Sequence, residues 1–272
     1  MNFNLSNLAW PNLAALLSDA AYNQTAYDEY LKIHTGPYSV GRSNALVSLA
    51  LKHFDSTYQK TVATIRSQVV TKYLPERYSK NNRLLAGYKK QHNILANQFF
   101  GADAGVGEIV LSPQGLSGIA HNKPLSRGTI TLNTTHPEAF PIVQWNTFQN
   151  PIDAAIMVSL TRYNRQHWQR PELACFNPVE TSPGPQHQTD EEIIQGGVES
   201  GSLAPTFAHP SGGCSMMPEE LGGCVSDKLL VYGVNKLSII DASIIPMIPA
   251  AHLQATMYAV AEKAADIIKQ RA

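Results

Sequence analysis

The stretch from His209 to Ala272 constrains this chain more than any other, because it sets turn-forming and chemically able residues in a fixed order. His209-Pro-Ser-Gly-Gly-Cys-Ser-Met-Met-Pro218 comes first, followed by Leu229-Leu-Val-Tyr-Gly-Val234, Leu237-Ser-Ile-Ile-Asp-Ala-Ser-Ile-Ile-Pro246 and Ile248-Pro-Ala-Ala-His252. Pro210 holds His209 away from α geometry, and Gly212 and Gly213 let the backbone turn or approach a ligand without a Cβ in the way. After His252, Leu253, Met257, Val260, Ala261, Ala264, Ala265 and Ile268 recur at helical spacing, so a helix with one buried stripe is expected to run to the chain end. His252 then stands by the positive end of the helix dipole, a setting that suits negative charge.

These ordered pieces, His-Pro-x-Gly-x-Cys-x-Met, Tyr-Gly-Val, Ile-Asp-Ala-Ser-Ile-x-Pro and Pro-Ala-x-His, resemble the C-terminal signature of the glucose-methanol-choline (GMC) oxidoreductases, nearest the fungal branch. Members of that family are FAD enzymes that oxidise alcohols. The resemblance implies that His209 is the general base taking the substrate hydroxyl proton, and that His252 helps to hold the alkoxide. It also places Asp241, Ala242, Leu253 and Gln254 against the flavin. Leu230 and Val231 match positions lining the oxygen-reactive side of the flavin in some members, and read equally as a buried strand. Asp241 reads equally as a strand-end residue capping the next turn.

The chemistry asks for such residues on its own terms. Hydride leaves an alcohol carbon readily only as the hydroxyl proton departs, so a base with a pKa near working pH is needed beside the hydride acceptor. Histidine meets that need. Either histidine alone reads as a satisfied structural residue; the pair inside this signature reads as catalytic. One departure bears on this: Gly213 stands where the family usually has threonine, which removes a hydroxyl beside the base and loosens the backbone.

Upstream, residues 1 to about 100 read as mostly helical. Pro11 suits a helix start ahead of Leu13, Leu16 and Leu17, and Ala26 to His34 continues helically until Gly36-Pro37 breaks it. Leu46 to Leu51 fits either helix or strand. Thr57 to Tyr73 and Asn82 to Phe99 read as two amphipathic helices, and Trp10, Phe99 and Phe100 as core. From Gly101 the period changes. Gly107 to Pro113, Gly128 to Asn133 and Ile142 to Trp145 read as short strands, a helix follows from Ile152 to Gln169, and Asp190-Glu-Glu-Ile-Ile opens another. Ser126-Arg-Gly-Thr-Ile-Thr-Leu-Asn, with Phe148-Gln-Asn-Pro151 and Asp153 after it, also resembles the GMC substrate-binding region, where an antiparallel sheet floors the cavity. His136-Pro137 departs from the family's usual Asp-Pro in a surface turn.

The nucleotide supplies the most informative negative. A FAD enzyme of this kind needs Gly-x-Gly-x-x-Gly between a strand and a helix to hold the pyrophosphate, and the sequence has none; Gly101-Ala-Asp-Ala-Gly-Val-Gly107 has its glycines in the wrong order and reads as a loop. The expected architecture is α+β: an antiparallel sheet with helices, plus a terminal strand and helix that would dock on an FAD-binding domain, with the N-terminal Rossmann half absent. Residues 1–205 form the expected substrate-binding-like region and residues 206–272 the unit that completes the active site.

Cys175, Cys214 and Cys224 are too few and odd in number for a disulfide framework; Cys214 and Cys224 can pair, read more plainly as small buried residues, and lack any Cys-x-x-Cys clamp for zinc. The three sequons at Asn4, Asn23 and Asn133 matter only in a secreted parent. The formal net charge of zero points to neither nucleic acid nor an acidic membrane surface. No apolar run is long enough to span a bilayer and no signal peptide is visible, which leaves localisation open. The function implied is FAD-dependent oxidation of a small-molecule alcohol, with a missing FAD-binding domain or a dimer partner completing the cofactor site. A catalytically silent fragment or interaction module, and a flavin-bearing non-redox cyclase or dehydratase on the same scaffold, fit the same residues.

Overall fold

In the computed structural model, residues 1–40, 45–112 and 114–271 are described; Pro113 and Ala272, the ends of two expected elements, lie outside them. The chain opens with strand β1 (Asn2–Asn4), followed by α1 (Leu13–Ser18) and α2 (Ala20–Ile33). Both helices start where an amide-bonding side chain precedes them: Asn12 accepts from the Ala14 N–H, and Asp19 from those of Ala21 and Tyr22. His34 ends α2 in the left-handed region at φ 56°. The apolar run that fitted either state is strand β2 (Ala45–Leu49).

Helix α3 (Tyr58–Ser67) is shorter than the spacing predicts. The expected helix to Tyr73 is interrupted because Gln68 leaves α geometry, with ψ 136°. The Gln68 carboxamide instead exchanges two hydrogen bonds with that of Asn150, at 2.9 and 3.0 Å. Helix α4 (Asn82–Phe100) begins on Asn81, whose side chain accepts from the Leu84 N–H. Phe99 is fully buried on it, as its position predicts, but Phe100 is 52% exposed and Trp10 63%, so two of the three aromatics assigned to the core are not in it. Gly87 sits inside α4 because the Leu221 carbonyl passes there; a Cβ would lie 2.1 Å from that oxygen.

The remaining elements follow the changed period. Strands β3 (Gly107–Leu111), β4 (Ser117–His121), β5 (Thr129–Thr131) and β6 (Ile142–Gln144) precede α5 (Pro151–Trp168), then β7 (Val179–Ser182), α6 (Asp190–Glu199) and α7 (Leu253–Lys269). Thr189 and Glu192 form a reciprocal capping box at the start of α6. The sheets are small: β1 pairs antiparallel with β7, β5 with β6, and a third has the order β2-β3-β4. This is the expected α+β arrangement of small sheets and helices. No described helix is long and apolar enough to cross a membrane.

Two compact units are each drawn from three stretches. The first takes residues 1–48, 108–120 and 158–203, and its core joins Met1, Phe3 and Trp168, with the Phe3 and Trp168 rings stacked 5.0 Å apart. Arg165 and Glu180 form a two-pronged ion pair in it, at 2.8 and 2.9 Å. The second unit takes residues 49–107, 121–157 and 204–272. Its C-terminal core gathers Cys214, Val225, Leu229, Ile244 and Ala264, with Val260 and Ile267 of α7 packed on them. Cys214 and Cys224 are disulfide-bonded there, which corrects the plainer reading of both as small buried residues; Cys175 is the free cysteine.

Candidate active site

Every residue expected at the site lies in the second unit. The His209 segment is fastened to the Asp241 turn by a ladder of backbone bonds: Gly212 N–H to Ala242 O at 3.2 Å, Cys214 N–H to Ser243 O at 2.9 Å and Met216 N–H to Ile244 O at 2.8 Å. Asp241 caps that turn, accepting from the Ser243 N–H at 2.8 Å. The disulfide Cys214–Cys224 closes the loop that follows the ladder. Segments far apart in sequence are thereby adjacent.

The ladder and helix α7 bring the two histidines together. Their ring centroids lie 5.3 Å apart at 61°, and the Phe207 ring stands 6.3 Å from one and 6.2 Å from the other. His209 Nδ1 lies 2.9 Å from the Ala208 carbonyl oxygen. A carbonyl only accepts, so Nδ1 carries the proton in this contact, and the lone pair of the neutral ring sits on Nε2. Ala208 is held at φ 59°, a left-handed conformation that costs an alanine about 1–2 kcal/mol and orients the carbonyl toward the ring.

His252 is the residue at the N-cap position of α7, and its side chain makes no capping bond. The first amides of that helix therefore have no side-chain acceptor from the cap, and they favour negative charge at this end. Leu253, in the first turn, is buried at 6% exposure. Gln254 is exposed beside it. Leu230 and Val231 are half-buried and sit in isolated bridges to Ser238 and Val225 rather than in a strand, with Val231 packed against the Cys214–Ala264 core.

Gly213 stands in open surroundings. A Cβ there would lie 3.8 Å from Ile130 Cδ1 and 3.9 Å from Ser243 Cβ, ordinary contact distances. Gly213→Ala is therefore expected to be accommodated and to raise stability by about 0.4–1 kcal/mol through a less free unfolded chain. Urea unfolding checks this, and a loss above about 1 kcal/mol would show that the glycine is required. The same contact brings β5 beside the His209 segment.

Around this centre, residues 121–127 form a rigid platform. Asp153 at the start of α5 accepts from the Leu125 N–H at 2.8 Å, the Ser126 N–H at 2.7 Å and His121 Nε2 at 3.2 Å. Burial alone would push the Asp153 carboxyl up, but the His121 hydrogen bond and charge, with the Leu125 amide and Ser126, hold it below the usual carboxylate range. Tyr88 donates to Leu125 O at 2.8 Å, and its burial pushes its hydroxyl up to about 12. Arg127 lies 5.0 Å over the Tyr88 ring. The family resemblance marked Asp153 without a role. Lys123 and Gln91, which also reach toward this centre, carry no sequence signal.

A family model described as GMC oxidoreductase matches residues 124–261. The chain belongs to this family. Among GMC relatives, Dehydrogenase xptC of Emericella nidulans is 38% identical over 186 residues, which is 68% of this chain and 30% of that protein. An oxygen-dependent choline dehydrogenase of Serratia proteamaculans is 34% identical over 54% of this chain and 26% of its own. Of solved structures, a FAD-dependent oxidoreductase from Chaetomium thermophilum aligns with TM-score 0.89 and 31% identity, covering 100% of this chain and 46% of that one. A fungal aryl-alcohol oxidase aligns with TM-score 0.86 and 29% identity over 99% of this chain and 46% of its own. The chain thus spans roughly a third of xptC and under half of these solved GMC chains.

Proposed function

We propose that this chain forms the alcohol-binding and proton-handling part of a FAD-dependent oxidoreductase acting on CH–OH groups. The observation that carries the reading is the facing pair of His209 and His252, 5.3 Å apart between ring centroids at the start of α7. His209 Nε2, its lone pair exposed because Nδ1 is engaged with the Ala208 carbonyl, accepts the substrate hydroxyl proton. His252 donates a hydrogen bond to the developing alkoxide oxygen, and the unfilled helix end favours the same charge. The Phe207 ring, within 6.3 Å of both imidazoles, adds an aromatic wall beside them. The wall, and the likeness to an aryl-alcohol oxidase, favour an arylmethanol or other apolar primary alcohol.

The residues present fit one end of FAD. Asp241 and Ala242 on their turn, with the backbone of Leu253 and Gln254 at the uncapped start of α7, would meet the flavin ring. Bound FAD would supply the acceptor for the hydride leaving the alcohol carbon. The pyrophosphate end has no cradle in this sequence, since the glycine fingerprint Gly-x-Gly-x-x-Gly does not occur in it. A second polypeptide segment completes that end.

Loading the purified chain with FAD, desalting it and recording its visible spectrum tests this. The chain alone should be colourless. Flavin retained near one per chain would overturn the incompleteness of the site, and alcohol-dependent bleaching that survives in His209→Ala would overturn the role of the base.

A further inference from the structure

The segment that delivers His252 to the site has almost no backbone support of its own. Residues 246–251 are Pro-Met-Ile-Pro-Ala-Ala; the two prolines lack an N–H, and no backbone–backbone bond between described residues outside the helices and strands reaches any of the six. Two of their carbonyls are nevertheless held. Gln91 Nε2, from α4, donates to Pro246 O at 2.9 Å, and Lys123 Nζ donates to Ile248 O at 2.7 Å.

Lys123 is an unusual choice for this duty. It is 7% exposed, and no ion pair between described residues includes it. Burial pushes its ammonium below the ordinary lysine range. A buried lysine without a carboxylate is destabilising by itself. Its backbone is fixed on both sides: His121, Leu125 and Ser126 all bond to Asp153, and Leu125 O accepts from Tyr88. Gln91 is fixed too, since its Oε1 accepts from Arg127 at 3.2 Å. Both donors therefore stand on rigid elements and both reach the same irregular segment.

We propose that Lys123, backed by Gln91, is a positioning residue that holds Ile248 and so sets where His252 meets His209. The consequence for chemistry rests on the function proposed above; the positioning does not. Losing this part-buried hydrogen bond costs the held conformation a factor of roughly 2 to 13, enough to let the His252 segment sample other positions.

Nitrogen-15 relaxation and imidazole spectra of the flavin-free chain test this without any activity. In the wild-type chain the amides of Met247, Ile248, Ala250 and Ala251 should show order parameters near those of rigid backbone, about 0.85. In Lys123→Met they should fall below about 0.6, with the His252 ring signals shifted and broadened and the α4 amides unchanged. Lys123→Arg, which keeps a donor, should restore both. A folded Lys123→Met chain with unchanged order parameters and His252 signals overturns the proposal. Should Lys123→Met fail to fold, Lys123→Gln keeps a polar end one bond too short for the Ile248 carbonyl, and an undisturbed 246–251 segment in that folded variant overturns it equally. Loss of positioning in a chain that never oxidises an alcohol would sink the function and leave this inference standing.

Discussion

In a complex of this chain with the FAD-binding segment that completes the site, His209→Ala is expected to lower kcat/KM for the alcohol by roughly 10²- to 10⁴-fold, the usual worth of a positioned general base. The loss should fall mainly on kcat, as for any interaction made only in the transition state. His252→Ala should cost roughly 10²- to 10³-fold, as removal of one donor to a developing oxyanion does. The two losses should not multiply, since the rings are adjacent, 5.3 Å between centroids, and neighbouring sites couple. Steady-state rates with unchanged circular dichroism decide it. A His209→Ala enzyme of near-normal kcat would remove the base from the mechanism.

Asp153→Ala is expected to destabilise the fold by about 3–5 kcal/mol, the cost of removing one partner from a buried charged cluster. Asp153 is 2% exposed and takes three bonds, from the Leu125 and Ser126 amides and from His121. Its removal strands those donors in a dry interior. Asp153→Asn keeps the shape and should cost less. The pH dependence has a definite sign. A carboxyl held below its unfolded value adds stability that is complete above the ordinary carboxylate range and fades as pH falls through the lower folded value. Urea unfolding between neutral and strongly acidic pH should show this fall in the wild type and not in Asp153→Ala. A change under about 1 kcal/mol at neutral pH would mean that solvent reaches the cluster.

Much of the second unit is legible in short runs of residues. The helical spacing from Leu253 onward is α7, and the short β-branched runs at 107–111, 129–131 and 142–144 are strands. Period and turn chemistry are local properties, so they survive in the sequence. The ordered His-Pro, Asp-Ala-Ser and Pro-Ala-x-His pieces led to the GMC family, which the match over residues 124–261 bears out.

Elsewhere local pattern misled or said nothing. Phe100 and Trp10 look like core by size, but burial depends on what else arrives at that face, and Phe100 meets the Tyr58 ring and Arg66 at the surface. The α3 pattern extends to Tyr73, yet a carboxamide pair with Asn150, 82 residues away, wins over the last turns. Cys214 and Cys224 offered pairing as one option; the ladder to residues 242–244 and the packing of Val225 place them within bonding distance.

The sequence by itself determined the element types, the family and the two histidines, because each is written in a short run of neighbours. Only the tertiary structure decided what holds those histidines in place. The platform on Asp153, the Ala208 carbonyl against His209 and the reach of Lys123 to Ile248 join positions 1 to 125 residues apart. Hydrogen bonds of that kind depend on where the backbone brings a donor and an acceptor in space, and no local period in the chain encodes that distance.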